Sequence, residues 1–153
     1  MKHKSKKHLK SSWVSKKGMT ITDKPWGTEK SWGGFSGIHG KFLFIKKNKR
    51  TSLKFNKLKT EVLILRVGKI EVIFGNEASL TDSIENPLET SVMDAGDTLF
   101  VQSCCPYRIT ALEDSEIIEI GDHIGEKSIR IIDDFGRESN DIDNFVEVLS
   151  EHT

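Results

Sequence analysis

The sequence predicts an all-β protein, built as a sandwich or barrel of short strands. Apolar and β-branched segments recur along the chain, separated by turn residues at intervals of about 8–12 residues. Residues 46–74 show the pattern most clearly: a turn is followed by strands predicted over about 51–58, 60–66 and 69–74. Gly68 lies at the tight turn between the last two strands, where a hairpin requires a positive φ.

The remaining segments extend this pattern toward both ends of the chain. Residues 20–40 predict an extended turn and a short strand, in which Trp26 and Trp32 either cover the core or form a binding platform. His39, flanked by glycines, is expected in an exposed turn. Residues 41–47 are apolar on both faces, which predicts a strand that is covered on both sides.

The second half predicts four more strands after a polar loop over residues 76–88. Their predicted ranges are 89–93, 97–101, 107–112 and 115–120. A short extended piece over 127–134 and a turn over 135–137 follow. Residues 141–151 predict a short C-terminal helix, because apolar residues recur there at helical spacing. That apolar stripe suits core packing or a dimer contact.

The charges are divided unevenly along the 153-residue chain, whose length suits one domain with a substantial core. Residues 1–60 contain 17 Lys and Arg against two acidic residues, whereas residues 61–153 contain 6 against 21, so the formal net charge is zero. Either the two halves pack together and balance, or a basic surface meets an anionic ligand or polyanion.

Residues 1–18 form a basic tail with seven lysines and no acidic residue. Self-repulsion and low hydrophobicity predict that it is disordered unless it docks, and that residues 19–153 form the single domain. The tail is either a solvated arm or a non-specific contact to nucleic acid or a protein partner. The adjacent Cys104 and Cys105 do not suit a disulfide, and no membrane span or secretory signal is recognisable, so we expect a soluble cytoplasmic protein.

One segment resembles the first motif of the cupin fold, a small double-sheet β-barrel. That motif reads Gly, five residues, His-x-His, a short gap, Glu, six residues, Gly. Here Glu61 is followed by six residues and then Gly68. Asn56 and Leu58 occupy the two His positions, and Arg50 occupies the first Gly position.

A later segment is similar to the second cupin motif, which reads Gly, five residues, Pro-x-Gly, two residues, His. Gly96 matches its first position. Gln102, Cys104 and Tyr107 occupy the positions of the Pro, the second Gly and the His. Together, the two segments imply a cupin-type double-stranded β-helix, or jelly-roll barrel, with the predicted short helix at its C-terminal end.

Three further segments resemble the cupin domain of type II mannose-6-phosphate isomerases, including those that also make GDP-mannose. Lys24-Pro25-Trp26-Gly27 resembles that family's Arg-Pro-Trp-Gly, and Ser52-Leu53-Lys54-Phe55-Asn56 resembles its Ser-Leu-Gln-Met-His. Residues 125–137 resemble its closing segment, which ends in Tyr-Gly-Arg. The resemblance extends over residues 24–137 and implies binding of a sugar phosphate.

The resemblance also implies a metal site, for which the required ligands are missing. A cupin metal centre needs imidazole and carboxylate donors that point inward from adjacent strands. Of the family's ligand positions only Glu61 is retained, because Val62 and Tyr107 replace two histidines. We therefore expect no bound metal and no cofactor.

Strand alternation places Lys54, Asn56 and Leu58 on the face that carries the ligands in the resembled family. A buried lysine needs a partner, so a Lys54–Glu61 ion pair is one interpretation. The other is that the Lys54 ammonium stands near the lost metal position and offers its charge to an anionic sugar or phosphate. Asn56, Tyr107 and Arg108 would then add hydrogen bonds at the same cavity mouth.

Three functions remain open from the sequence. The first is a metal-free module that binds a sugar phosphate or sugar nucleotide as an accessory to polysaccharide synthesis. The second is an active mannose-6-phosphate isomerase with Glu61 as base and Lys54 as electrophile. The third is a structural or interaction protein on a retained barrel. The cupin resemblance also implies a homodimer formed by sheet extension.

Overall fold

The computed structural model describes residues 9–123 and 125–137, which form two antiparallel sheets packed face to face. One sheet has six strands in the order β1-β2-β3-β10-β5-β8, and the other has five in the order β11-β4-β9-β6-β7. The strands are β1 (Thr20–Lys24), β2 (Gly27–Phe35), β3 (Ile38–Ile45), β4 (Leu53–Phe55), β5 (Glu61–Val67), β6 (Lys69–Phe74), β7 (Glu89–Asp94), β8 (Thr98–Val101), β9 (Tyr107–Ala111), β10 (Ser115–Gly121) and β11 (Ile129–Ile132). This architecture confirms the predicted all-β jelly-roll barrel.

The core lies between the two sheets because alternate residues of each strand point inward. In β5, Leu63 and Leu65 are buried, and Ile117 of β10 meets them from the neighbouring strand. The facing sheet contributes Val72 and Ile109 to the same cluster. Each such side chain stabilises the fold by about 1.5–3 kcal/mol through burial.

Gly68 forms the turn between β5 and β6 with the predicted positive φ, +97°, but the predicted hairpin is wrong, because β5 lies in the six-stranded sheet and β6 in the five-stranded one. A Cβ atom added there would lie 2.4 Å from the Oγ of Ser115 and 2.5 Å from the carbonyl oxygen of Asp114. The turn therefore requires glycine both for its backbone conformation and for the close approach of the chain before β10.

The predicted strand over residues 51–58 is shorter than expected, since only Leu53–Phe55 forms β4. Beyond it, the side chains of neighbouring loops supply the hydrogen-bond acceptors that a strand partner would have provided. The backbone N–H of Leu58 donates to Glu126 at 3.1 Å, and that of Thr60 donates to Asp122 at 2.7 Å. The expected polar loop over 76–88 contains one short 3-10 helix, Glu77–Leu80.

The prediction that His39 is exposed in a turn is wrong. His39 lies within β3, where it pairs with Gly34 of β2 and Gly121 of β10, and only 9% of its surface is exposed. The glycines around it permit this close packing, since a Cβ at Gly121 would lie 2.9 Å from the His39 Nε2 atom.

The predicted C-terminal helix over residues 141–151 and the first part of the basic tail lie outside the described residues. Residues 9–18 are exposed, and the Trp13 ring lies edge-on to Phe35 of β2 with ring centroids 4.8 Å apart. The division into a tail over 1–18 and a domain over 19–153 stays a prediction. Within the described ranges, no helix has the length and apolar character of a transmembrane segment.

Candidate ligand-binding cavity

A cavity of about 530 Å³ lies between the two sheets, within the size range of small-molecule sites. The strands β1, β2, β3 and β10 line one side, and β4, β9 and β11 line the other. Two carboxyl groups, Glu29 and Glu119, face it. The cationic side chains around it are more numerous: Lys24, Lys41, Lys54, Lys127, Arg130 and Arg137. Cationic side chains therefore outnumber acidic ones in the lining, although Arg137 is ion-paired with Asp133, which does not line the cavity.

Glu61 lies behind the cavity wall and is held as a carboxylate by two hydrogen bonds. The Asn56 Nδ2 donates to Glu61 Oε1 at 2.6 Å, and the Tyr107 hydroxyl donates to Oε2 at 2.9 Å. The Ser128 hydroxyl donates to Asn56 Oδ1 at 2.7 Å, which fixes the orientation of the amide. Burial alone would raise the pKa of Glu61, but hydrogen bonding with Glu119, neighbouring lysine charges and the Tyr107 hydroxyl hold the pKa below its ordinary value.

Glu119 is a cavity residue that the sequence analysis missed. It lies opposite Lys41 of β3, and the register of β10 against β5 makes it a diagonal neighbour of Glu61. Its side chain is 3% exposed, and its Oε2 lies 3.4 Å from the Nζ of Lys41 and 3.7 Å from that of Lys59. Burial, together with the negative charge of Glu61, raises the pKa of Glu119. Glu119 and Ile117 are two residues apart on β10, so both side chains point inward. This alternation was the sequence signal that could have identified Glu119 as a cavity residue.

Opposite charges alternate across the inner face of the six-stranded sheet. Lys41 forms an ion pair with Glu29 of β2 as well as with Glu119, and Lys24 lies 3.6 Å from Glu29. Lys59, in the connection before β5, lies 3.8 Å from Glu61. This alternation makes the buried charges tolerable, because an unpaired charge in the interior would be costly.

Lys54 faces the cavity from β4, as predicted, but it is not paired with Glu61. Its Nζ lies 5.6 Å from the centroid of the Tyr107 ring, and it forms no ion pair within the criterion of 4.0 Å with any described residue. Lys54 and Glu61 are therefore not in direct contact, since Lys59 is the lysine within 4.0 Å of Glu61, but the Lys54 charge still lowers the pKa of Glu61. Burial lowers the pKa of Lys54, against the opposing effect of the Glu61 charge.

Arg108 lies away from the predicted cavity mouth. Consecutive residues of a strand point to opposite faces, so Tyr107 faces the cavity and Arg108 does not. Arg108 is 1% exposed, and its guanidinium donates to the Thr51 carbonyl oxygen at 2.8 Å and to Asp134 Oδ1 at 3.0 Å. Of the predicted ligand-contacting residues, Lys54 and Tyr107 line the cavity, whereas Asn56 and Glu61 support Tyr107 from behind.

The side chains at this site do not fit the metal centre of the resembled family. Among residues 9–123 and 125–137, no group of three or more His, Cys, Asp and Glu side chains is placed to hold a metal ion. The two neighbouring carboxyl groups, Glu61 and Glu119, already share the ammonium of Lys59. A divalent cation would have to compete with that positive charge.

No protein-family model and no curated protein matches this sequence. Solved structures do match. KdgF from Halomonas sp. is similar with a TM-score of 0.56 and 14% identity, over 67% of this chain and 86% of that one. Oxalate decarboxylase from Bacillus subtilis is similar with a TM-score of 0.67 and 15% identity, over 81% of this chain and 33% of that one. The Lactobacillus farciminis oxalate decarboxylase is similar with a TM-score of 0.65 and 15% identity, over 81% of this chain and 38% of that one.

This chain thus spans about a third of the length of the oxalate decarboxylases it resembles. KdgF and oxalate decarboxylase are both cupin-fold proteins, and the likeness at this level of identity concerns the fold. Three observations indicate the same fold: the two antiparallel sheets, the motif spacing from Glu61 to Gly68 and these structural neighbours. The chain has the cupin fold.

Proposed function

We propose that this protein binds an anionic sugar, a sugar phosphate or sugar nucleotide, in the cavity between its sheets without using a metal ion. The observation that carries the proposal is the charge of the cavity, where six cationic side chains face two carboxyl groups. In the resembled isomerase family, such a ligand belongs to polysaccharide precursor synthesis. We propose an accessory role in the same process for this chain.

Lys54 is the strongest candidate to contact the anionic group. Its ammonium faces the cavity without an ion-pair partner within 4.0 Å among the described residues, so a ligand anion would not have to displace one. The hydroxyl of Ser52 lines the same cavity and can donate to a further ligand oxygen, whereas the hydroxyls of Thr51 and Ser128 already donate to the Ser52 carbonyl and to Asn56. Charge-assisted hydrogen bonds of this kind contribute about 1.5–3 kcal/mol.

The geometry supports binding better than isomerisation by the predicted pair of Glu61 and Lys54. A general base must come within hydrogen-bond reach of the proton that it removes. Glu61 lies behind the wall, and Asn56 and Tyr107 already donate to both of its oxygens. It is therefore poorly placed to act on a sugar in the cavity.

Replacement of Lys54 by alanine tests the proposal. We expect mannose 6-phosphate to raise the thermal unfolding temperature of the wild-type protein and the K54A variant to bind it at least about tenfold more weakly. K69A is the matched control, since Lys69 lies on β6 with a 45% exposed side chain. Equal binding by wild type and K54A would contradict the assignment of Lys54. Ketose formation from mannose 6-phosphate would instead establish an isomerase.

A further inference from the structure

Glu119 is a buried carboxyl group on the wall of the cavity that has fewer hydrogen bonds than its burial requires. Its side chain lines the cavity while remaining 3% exposed. Its Oε2 receives no hydrogen bond from the described residues, although two ammonium groups lie nearby. Buried polar atoms are nearly always hydrogen-bonded, so an unsatisfied one on a cavity wall suggests that a ligand supplies the partner.

The neighbours of Glu119 fix its position without satisfying it. Lys41 approaches from β3 and Lys59 from the connection before β5, at 3.4 Å and 3.7 Å from Oε2. The Glu61 carboxylate, hydrogen-bonded by Asn56 and Tyr107, borders it on the third side. Burial and the negative charge of Glu61 raise the pKa of Glu119, while the charges of Lys41 and Lys59 oppose this effect.

The charged side chains around the cavity differ in depth. Glu119 and Tyr107 are almost fully buried, whereas Lys127 is exposed and the side chains of Lys24 and Arg137 are 27% and 24% exposed. The deep part therefore presents a carboxyl group next to Lys41 and Lys54, and the entrance presents cations alone. A carboxyl group can accept a hydrogen bond from a sugar hydroxyl, but it does not favour a phosphate.

We propose that Glu119 determines specificity for the sugar part of the ligand by hydrogen bonding to one of its hydroxyl groups at the deep end of the cavity. The inference rests on the proposed function and divides the ligand into two parts. The cationic residues bind the phosphate, and Glu119 distinguishes a sugar phosphate from phosphate alone.

The test compares mannose 6-phosphate with inorganic phosphate by isothermal titration calorimetry. We expect E119A to bind mannose 6-phosphate about tenfold more weakly than wild type, the cost of one hydrogen bond of about 1.4 kcal/mol, and to bind inorganic phosphate unchanged. K54A should weaken the binding of both ligands. E119Q, which keeps the shape and an acceptor oxygen, should recover most of the lost affinity. E116Q is the control, because Glu116 lies on the same strand and pairs with Arg66 outside the cavity.

Each outcome bears on one of the two proposals. Equal weakening of both ligands in E119A, or no weakening of either, would overturn the role of Glu119 while leaving an anion-binding cavity. A wild-type protein that binds neither ligand would overturn the proposed function itself, and with it this inference. Should E119A fail to fold, deoxy analogues of mannose 6-phosphate test the contact on the wild-type protein, since removal of the contacted hydroxyl should weaken binding about tenfold. Equal affinity of the wild type for mannose 6-phosphate and for each of its deoxy analogues would contradict the contact.

Discussion

Asn56 and Tyr107 occupy two of the positions where the cupin motifs carry histidines, and both donate hydrogen bonds to Glu61. A buried carboxylate needs either a cation or hydrogen-bond donors. Here an amide and a phenol supply the donors, and Lys59 supplies a nearby positive charge at 3.8 Å. The substitutions therefore form one connected network around the retained Glu61, in place of a set of metal ligands.

Outside the cavity, Asp134 is the residue whose replacement should lower the stability of the fold most. It accepts hydrogen bonds from Arg50 and from the Nη2 of Arg108, a side chain that is 1% exposed and whose Nη1 has no hydrogen-bond partner among the described residues. Replacing Asp134 by asparagine leaves that buried charge unbalanced. We expect the free energy of unfolding at pH 7 to fall by about 1–3 kcal/mol, measured by urea denaturation. D94N, at an aspartate that is 74% exposed, should have little effect.

The same aspartate should contribute to acid sensitivity. Hydrogen bonding from Arg50 is the main cause that holds the pKa of Asp134 below its ordinary value, and the charge of Arg108 adds to it. Its stabilising effect is therefore complete above the unfolded-state pKa of about 3.9 and is lost as the pH falls through the lower folded-state pKa. Between pH 7 and pH 2, D134N should lose less stability than wild type. Identical losses would show that Asp134 is not responsible.

At the scale of the element, the tight turn from β5 to β6, which carries the chain from one sheet to the other, depends on one glycine. Gly68 combines a φ of +97° with a close approach to Ser115, whereas Gly96 has a φ of +99° with no atom within 4 Å of an added Cβ. The two positions therefore separate backbone strain from steric overlap. Both substitutions should cost about 1–3 kcal/mol through strain, and G68A should cost more than G96A. Equal losses of unfolding free energy in urea denaturation would mean that the chain near Ser115 moves to accommodate the added methyl group at little cost.

At the scale of the whole molecule, the opposite charges of the two halves of the sequence meet in the fold. Lys41 and Lys59 pair with Glu119, and Arg50 pairs with Asp134. Pairing of the halves thus accounts for part of the charge split. The excess of cations that remains in the cavity is the part we assign to a ligand.

The edges of the six-stranded sheet bear on the predicted homodimer. The outer strands β1 and β8 carry Ile21, which is 63% exposed, and Phe100, which is 74% exposed. Free strand edges tend to pair with another chain. We expect sedimentation equilibrium to show a dimer, and a lysine at position 21 to weaken it if β1 forms the contact, with F100K testing the opposite edge. A monomer at every concentration would contradict the prediction.

Although residues 20–40 form two strands, β1 and β2, where one short strand was predicted, local sequence signals were sufficient for the strands between residues 60 and 121, the turn at Gly68 and the inward direction of Lys54. Each of these depends on alternation or turn chemistry within a few neighbouring residues. The same alternation also places Arg108 outside the cavity. Arg108 was expected at the cavity mouth because it is adjacent to Tyr107 in the sequence.

The sequence by itself determined the all-β barrel and the position of Glu61, because strand periodicity and motif spacing are local properties. The tertiary structure decided which side chains meet inside the barrel. Lys41 and Glu119 come together only through the pairing of β3 with β10, and His39 becomes buried by the same pairing. Contacts between strands so far apart in the chain depend on sheet order and register, which no local pattern specifies.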